Sequence, residues 1–126
     1  MREHPGAVSS RFYEREADIC KAFAHPARLH VLEFLADQER TVSEIKRELN
    51  VSGPNLSQHL RILKAAGALT VVRRKGHVYC SCPSAEIWDL YCAMHKIVQE
   101  QARRQRRWAT RTDTEPRVRW NEASVL

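Results

Sequence analysis

Glycine and proline are scarce, four and five among 126 residues, which excludes a collagen-like repeat or a linker-dominated chain. No stretch approaches the roughly 18 consecutive apolar residues that a membrane-spanning helix needs. Residues 1–10 are polar, lacking the basic stretch and apolar run of an export signal, so neither export nor a membrane location is expected. Cysteine is limited to Cys20, Cys80, Cys82 and Cys92, too few to staple a chain that can bury its own core. Their thiols are expected to be free in a reducing, cytoplasmic setting. What is present is ordinary globular composition, 43% hydrophobic and 29% charged, in a length that suits one domain.

The net charge of +6 is unevenly spread. Residues 1–40 and 78–100 carry slightly more acid than base and read as solvated surface. Residues 41–77 carry seven basic side chains against two acidic ones, and residues 101–107 add four arginines with no acid. Base concentrated in this way points to a polyanion docked against the middle of the chain.

Apolar spacing predicts a first helix from Ser10 to Ala24 on Phe12, Ile19, Cys20 and Phe23, stopped at His25-Pro26. Pro26 suits the first turn of a second helix with an apolar face of Leu29, Val31, Leu32, Phe34 and Leu35. Thr41 with Glu44 three places on forms the start signal of a third helix, which buries Val42, Ile45 and Leu49 and stops at Asn50. Ser52 caps a fourth, with Leu56, Leu60 and Leu63 inward and polar or basic residues on its other faces. Gly67 ends it. Two β-rich runs, 69–72 and 77–82, flank Arg73-Arg74-Lys75-Gly76 as a hairpin with a cationic tip. A long helix capped by Ser84 carries Ile87, Leu90, Tyr91, Met94, Ile97 and Val98 and ends in the arginine run. Residues 1–9 and 108–126 read as flexible ends, although Trp108, Trp120 and Val125 could anchor part of the tail.

This order is mainly α with a small β-hairpin, ααααββα, the layout of a winged helix-turn-helix. The blocks His25-Pro26-Ala27-Arg28-Leu29 and Val51 to Lys64, with Ser57-Gln58-His59-Leu60 at their centre, resemble the ArsR/SmtB family of bacterial repressors, as do Gly67 and the Arg73–Gly76 wing. The resemblance spans about residues 15–100. It implies a homodimer built through the first and last helices, bound to palindromic double-stranded operator DNA and released by an inducer.

A helix of about 10–12 Å diameter fits the major groove, where Gln, Asn, Ser, His and Arg can hydrogen-bond base edges or phosphates. Asn55, Ser57, Gln58, His59 and Arg61 are the expected groove-facing residues, with Ser52 near phosphate and Lys64 on the basic face. Arg73, Arg74 and Lys75 would grip phosphates or enter the minor groove. A solvated helix face and a solvated hairpin tip are the plain alternatives. The arginines at 103–107 could equally stabilise the end of their own helix.

The family's zinc site on the last helix uses an Asp-x-His pair, but Asp89-Leu90-Tyr91 has no histidine, and Ala102 and Gln105 supply no ligand. The family's other metal site needs cysteines in the third helix, and residues 42–49 contain none. The four cysteines leave several readings open. Cys80 and Cys82 could be core fillers on one strand face. Cys20 and Cys92 could meet at the dimer interface as a pair sensitive to oxidants or sulfur species, with Lys21 and His95 favouring the thiolate. Cys80, Cys82 and Cys92 could instead bind a soft metalloid or metal. No cofactor is otherwise implied. A regulator without a thiol sensor, a protein-interaction domain and a thiol oxidoreductase at Cys80-Ser81-Cys82 are the competing classes. The last is disfavoured because these cysteines lie on a strand, away from a helix N-terminus.

Overall fold

Local stop and start signals set the helix boundaries. The computed structural model describes residues 6, 7 and 9–105. The first helix, α1 (Ser10–Phe23), ends three residues before Pro26, and α2 (Pro26–Phe34) starts on that proline. His25 caps α2, its Nδ1 accepting the Ala27 N–H at 3.0 Å. A short strand, β1 (Arg40–Thr41), precedes α3 (Val42–Leu49). Thr41 and Glu44 make the expected reciprocal box: Glu44 N–H donates to Thr41 Oγ1 at 3.1 Å and Thr41 N–H to Glu44 Oε1 at 3.4 Å. Asn50 closes α3 in the left-handed conformation at φ 54°.

Ser52 accepts the Asn55 N–H at 3.3 Å and opens α4 (Gly53–Ala65). The helix ends in a Schellman turn. Gly67, at φ 78°, donates to the Lys64 carbonyl at 3.0 Å, and Ala68 donates to the Leu63 carbonyl at 2.9 Å. The wing follows as β2 (Thr70–Arg74) and β3 (His77–Ser81), and α5 (Ala85–Gln105) starts where Ile87 N–H donates to Ser84 Oγ at 3.1 Å.

The hairpin differs in detail from the sequence expectation. Its loop is Lys75-Gly76 alone, both at positive φ (49° and 80°), the geometry of a two-residue turn that matches strand twist. Arg73 and Arg74 therefore belong to β2, with alternating side chains, and do not both sit at the tip. The sheet also has a third strand that no local pattern announced. Its order is β1-β3-β2, all antiparallel, with Thr41 opposite Tyr79 and Val72 opposite the same tyrosine from the other side. A two-residue strand has too few residues to show a period, and pairing alone creates it.

The core is aliphatic. Val31 and Leu32 from α2, Ile45 and Leu49 from α3, Leu56 and Leu63 from α4 and Cys80 from β3 are all essentially fully buried. The outer helices are different. Phe12 and Tyr13 on α1 and Leu90, Ile97 and Val98 on α5 stay 43–60% exposed in the single chain. Of the face expected of α1, Phe23 is buried and Ile19 packs on the core, while Phe12 stays exposed among the described residues. No described helix is long and apolar enough to cross a membrane. The expected flexible tail, 108–126, and Arg106 and Arg107 lie outside the described residues, as do residues 1–5 and 8 of the expected flexible start.

The Thr41 cap lies away from α4 and carries a clean stability test. Thr41→Ala should lower the unfolding free energy by about 1 kcal/mol in urea titration without changing the secondary structure, since it orphans the first-turn donor.

Candidate nucleic-acid interface

The face of α4 that meets solvent is set by its inward stripe. Leu56, His59, Leu60 and Leu63 are buried, so Ser57, Gln58, Arg61 and Lys64 emerge on the opposite side, with Asn55 half-exposed near the N-terminus and Ser52 exposed at the cap. None of the residues 53–66 is acidic. Arg61 Nη1 donates to Gln58 Oε1 at 3.0 Å, which leaves the Gln58 amide N–H₂ and the remaining Arg61 donors directed away from each other's contact. The surface is rich in donors and suited to acceptors such as phosphate oxygens and guanine edges.

His59 is a correction. Expected to face a groove, it is only 5% exposed. Position 59 lies three residues after Leu56 and four before Leu63, on the same helical stripe, a spacing visible in the sequence and outweighed there by the polarity of histidine. What holds it inside is Arg28. That guanidinium donates from Nε to the Ala22 carbonyl at 2.7 Å and from Nη2 to the Lys21 carbonyl at 2.9 Å, and its Nη1 lies 3.3 Å from His59 Nδ1. Arginine has only donors, so His59 Nδ1 is placed as the acceptor of this contact. Burial lowers the Arg28 pKa. The His25 and His59 rings pack at 4.3 Å between centroids. His25, the cap of α2, and Arg28 within it thus seat the fourth helix, a role the sequence pattern does not announce.

In the wing, Arg73 and Lys75 are exposed. Arg74 is also half-exposed, but it forms an ion pair with Glu39 and stacks on the Tyr79 ring at 4.2 Å. Arg40 lies over Phe34 at 4.4 Å and pairs with Asp37 and Glu44, which anchors the approach to β1.

A helix-turn-helix domain family matches residues 23–72. Rv0081, an HTH-type transcriptional regulator of Mycobacterium tuberculosis, is 31% identical over 91 residues, covering 71% of this chain and 80% of that protein. Its crystal structure superposes with a TM-score of 0.68 at 28% identity, over 76% of this chain and 98% of that one. The transcriptional repressor SmtB of the same organism is 35% identical over 66 residues, 52% of this chain and 49% of SmtB. This chain belongs to the ArsR/SmtB family. It is a winged helix-turn-helix transcriptional regulator. A homodimeric winged helix-turn-helix domain from Mycobacterium bovis shares the fold at TM-score 0.71 and 22% identity, over 80% of this chain and 95% of that one.

The cysteines of this ArsR/SmtB chain separate into two kinds. Cys80 is fully buried, and burial pushes its thiol up to about 11, so it is a core filler, which corrects its candidacy as a sensor. Cys82, just past β3, is half-buried against the same core, and burial raises its pKa too. Among the described residues no three His, Cys, Asp or Glu side chains are placed to share a metal ion, so the thiolate triad of Cys80, Cys82 and Cys92 is not assembled. Cys20 is exposed on α1. Cys92 is half-buried on α5 and lines a cavity of about 300 Å³ with Glu33, Trp88, Tyr91 and His95. Tyr91 O–H donates to Glu33 Oε2 at 3.3 Å there, and burial, with Glu33 second, pushes its pKa to about 12.

Two measurements check this geometry. His59→Ala should cost about 1–3 kcal/mol in chemical denaturation, because it leaves a buried guanidinium short of an acceptor. Gln58→Ala should stay within about 0.5 kcal/mol of the parent. In alkylation mapped by mass spectrometry at about pH 8, Cys20 should react in the folded protein and Cys80 only after unfolding, since the thiolate is the reactive form.

Proposed function

We propose that this regulator is a cytoplasmic homodimeric repressor that holds palindromic operator DNA between two copies of α4 and the wing and lets go when an effector binds. The observation that carries the reading is the acid-free, donor-rich outer face of α4, opposite a stripe that is buried through His59. Ser52, Asn55, Ser57, Gln58, Arg61 and Lys64 would meet the major groove and its phosphates, and Arg73 and Lys75 the backbone beside it. The exposed Phe12, Tyr13, Leu90, Ile97 and Val98 support pairing of α1 and α5 with those of a second copy, because burial of that apolar surface is the main gain available to it. The repressor names of SmtB and of SdpR from Bacillus subtilis favour repression over activation.

The test is binding of a duplex selected from a random library by the parent protein. Log affinity should fall linearly with log salt, by about 0.9 per phosphate neutralised. Arg61→Ala should weaken specific binding by about 1–3 kcal/mol and relax base preference at one position of each half-site. A parent that selects no duplex, or a flat salt dependence, would sink the assignment.

For the effector, we infer that Cys20 and Cys92 form the responsive pair, since Cys20 is exposed on α1 and Cys92 lines the cavity on α5, the two helices proposed to pair with a second copy. Oxidation by a hydroperoxide would join the two sulfurs across the dimer. The two thiol protons and two electrons pass to the peroxide, which leaves as alcohol and water. Peroxide treatment should then give a dimer band on non-reducing electrophoresis and release DNA, and Cys20→Ser or Cys92→Ser should abolish both effects. Release by a double serine variant at the parent's peroxide dose would rule the pair out.

A further inference from the structure

The wing's second arginine is placed unlike its neighbours. β3 is the central strand, with β1 on one side and β2 on the other. Alternation puts Val72 and Arg74 of β2 on one face with His77 and Tyr79 of β3, while Val71, Arg73, Val78 and Cys80 share the other. Arg74 reaches diagonally across the central strand. Its guanidinium lies over the Tyr79 ring, 4.2 Å from the centroid, and continues to the Glu39 carboxylate in the segment leading into β1. One side chain therefore spans all three strands, touching an aromatic ring on the middle one and an acid beside the outer one. Arg73, one residue earlier and on the opposite face, has neither contact and is exposed.

We infer that Arg74 is a positioning residue for DNA binding, and that with Tyr79 and Glu39 it straps the wing to the body of the domain instead of gripping a phosphate. The inference rests on the DNA-binding reading above and narrows it, leaving Arg73 and Lys75 as the wing's phosphate contacts. The chemistry favours a strap. Guanidinium is planar and weakly hydrated, so it can stack on a ring and meet a carboxylate with the same group. To grip a phosphate it would have to share its donors between Glu39 and a second anion, and the Glu39 carboxylate would then stand close to the duplex backbone, with like charges repelling. A half-exposed pair of this kind is worth less than about fivefold in an equilibrium constant, so it hardly matters to the fold. It suffices to bias the angle of a two-stranded ribbon whose loop is only Lys75-Gly76.

Counterion release distinguishes the two roles, because each phosphate contact adds about 0.9 to the slope of log affinity against log salt, and a strap adds nothing. The experiment compares the parent with Arg74→Ala, Glu39→Gln, the double variant and Arg73→Ala on the library-selected duplex. Circular dichroism melts confirm that each is folded. Arg73→Ala should lower the slope by about 0.9. Arg74→Ala should weaken binding about two- to fivefold with the slope unchanged. Glu39→Gln should weaken it by a similar factor, and the double variant should be no weaker than either single one, since both remove the same link. The strap is overturned if Arg74→Ala lowers the slope by about 0.9, or if Glu39→Gln tightens binding and steepens the slope, which would mark Arg74 as a phosphate ligand that the acid restrains. Should Arg74→Ala fail to fold, Glu39→Gln decides alone by the same two signs. A parent that selects no duplex overturns the DNA-binding reading and the strap with it. A parent of normal slope with either contrary result overturns only the strap.

Discussion

Arg28 holds the domain's working geometry. One guanidinium joins the last turn of α1, through the Lys21 and Ala22 carbonyls, to His59 in the middle of α4. The carbonyls it meets belong to a helix end, where acceptors otherwise lack partners, and the histidine supplies an acceptor that leucine could not. The arrangement serves two elements at once. It closes α1 and it fixes the rotation of α4, and with that rotation the side of the helix on which Ser57, Gln58, Arg61 and Lys64 emerge. A buried charge that has its hydrogen bonds filled is tolerated, but it is intolerant of losing any one of them. The outward face therefore depends on a residue that is itself buried two helices away.

The same division between inner and outer duty runs through the rest of the chain. Aliphatic side chains from α2, α3, α4 and β3 fill the centre, and Cys80 fills it as a small hydrophobe. Base is pushed outward onto α4 and the wing, where water screens like charges from one another. The apolar residues left exposed on α1 and α5 among the described residues form a third kind of surface. The regulator is thus divided by helix: inner helices that pack the core, α4 and a wing that carry exposed base, and outer helices that carry exposed apolar side chains.

Much of this could be read from the chain alone. Thr41 with Glu44, Ser52, Pro26 and Gly67 each act on backbone groups a few residues away, so the ends of α2, α3 and α4 fall where those residues predict. Charge counted along the sequence located the basic middle, and the Ser57-Gln58-His59-Leu60 block carried the family. The pattern was less reliable for individual side chains. By polarity alone, the histidine on the Leu56–Leu63 stripe reads as an outward residue, and Arg73, Arg74 and Lys75 read alike. Neither β1 nor the single-turn loop at Lys75-Gly76 could be resolved by a period of two over so few residues.

The sequence by itself determined the helices, their caps, the outward polarity of α4 and the family, because each rests on contacts between near neighbours or on the order of residue types. Only the tertiary structure decided that His59 turns inward, that Arg74 is engaged, and that Cys80 is sealed off. The reason is distance along the chain. Arg28 and His59 are 31 residues apart and Arg74 and Glu39 are 35 apart, so their partnerships exist only once α2 has packed on α4 and three strands have paired.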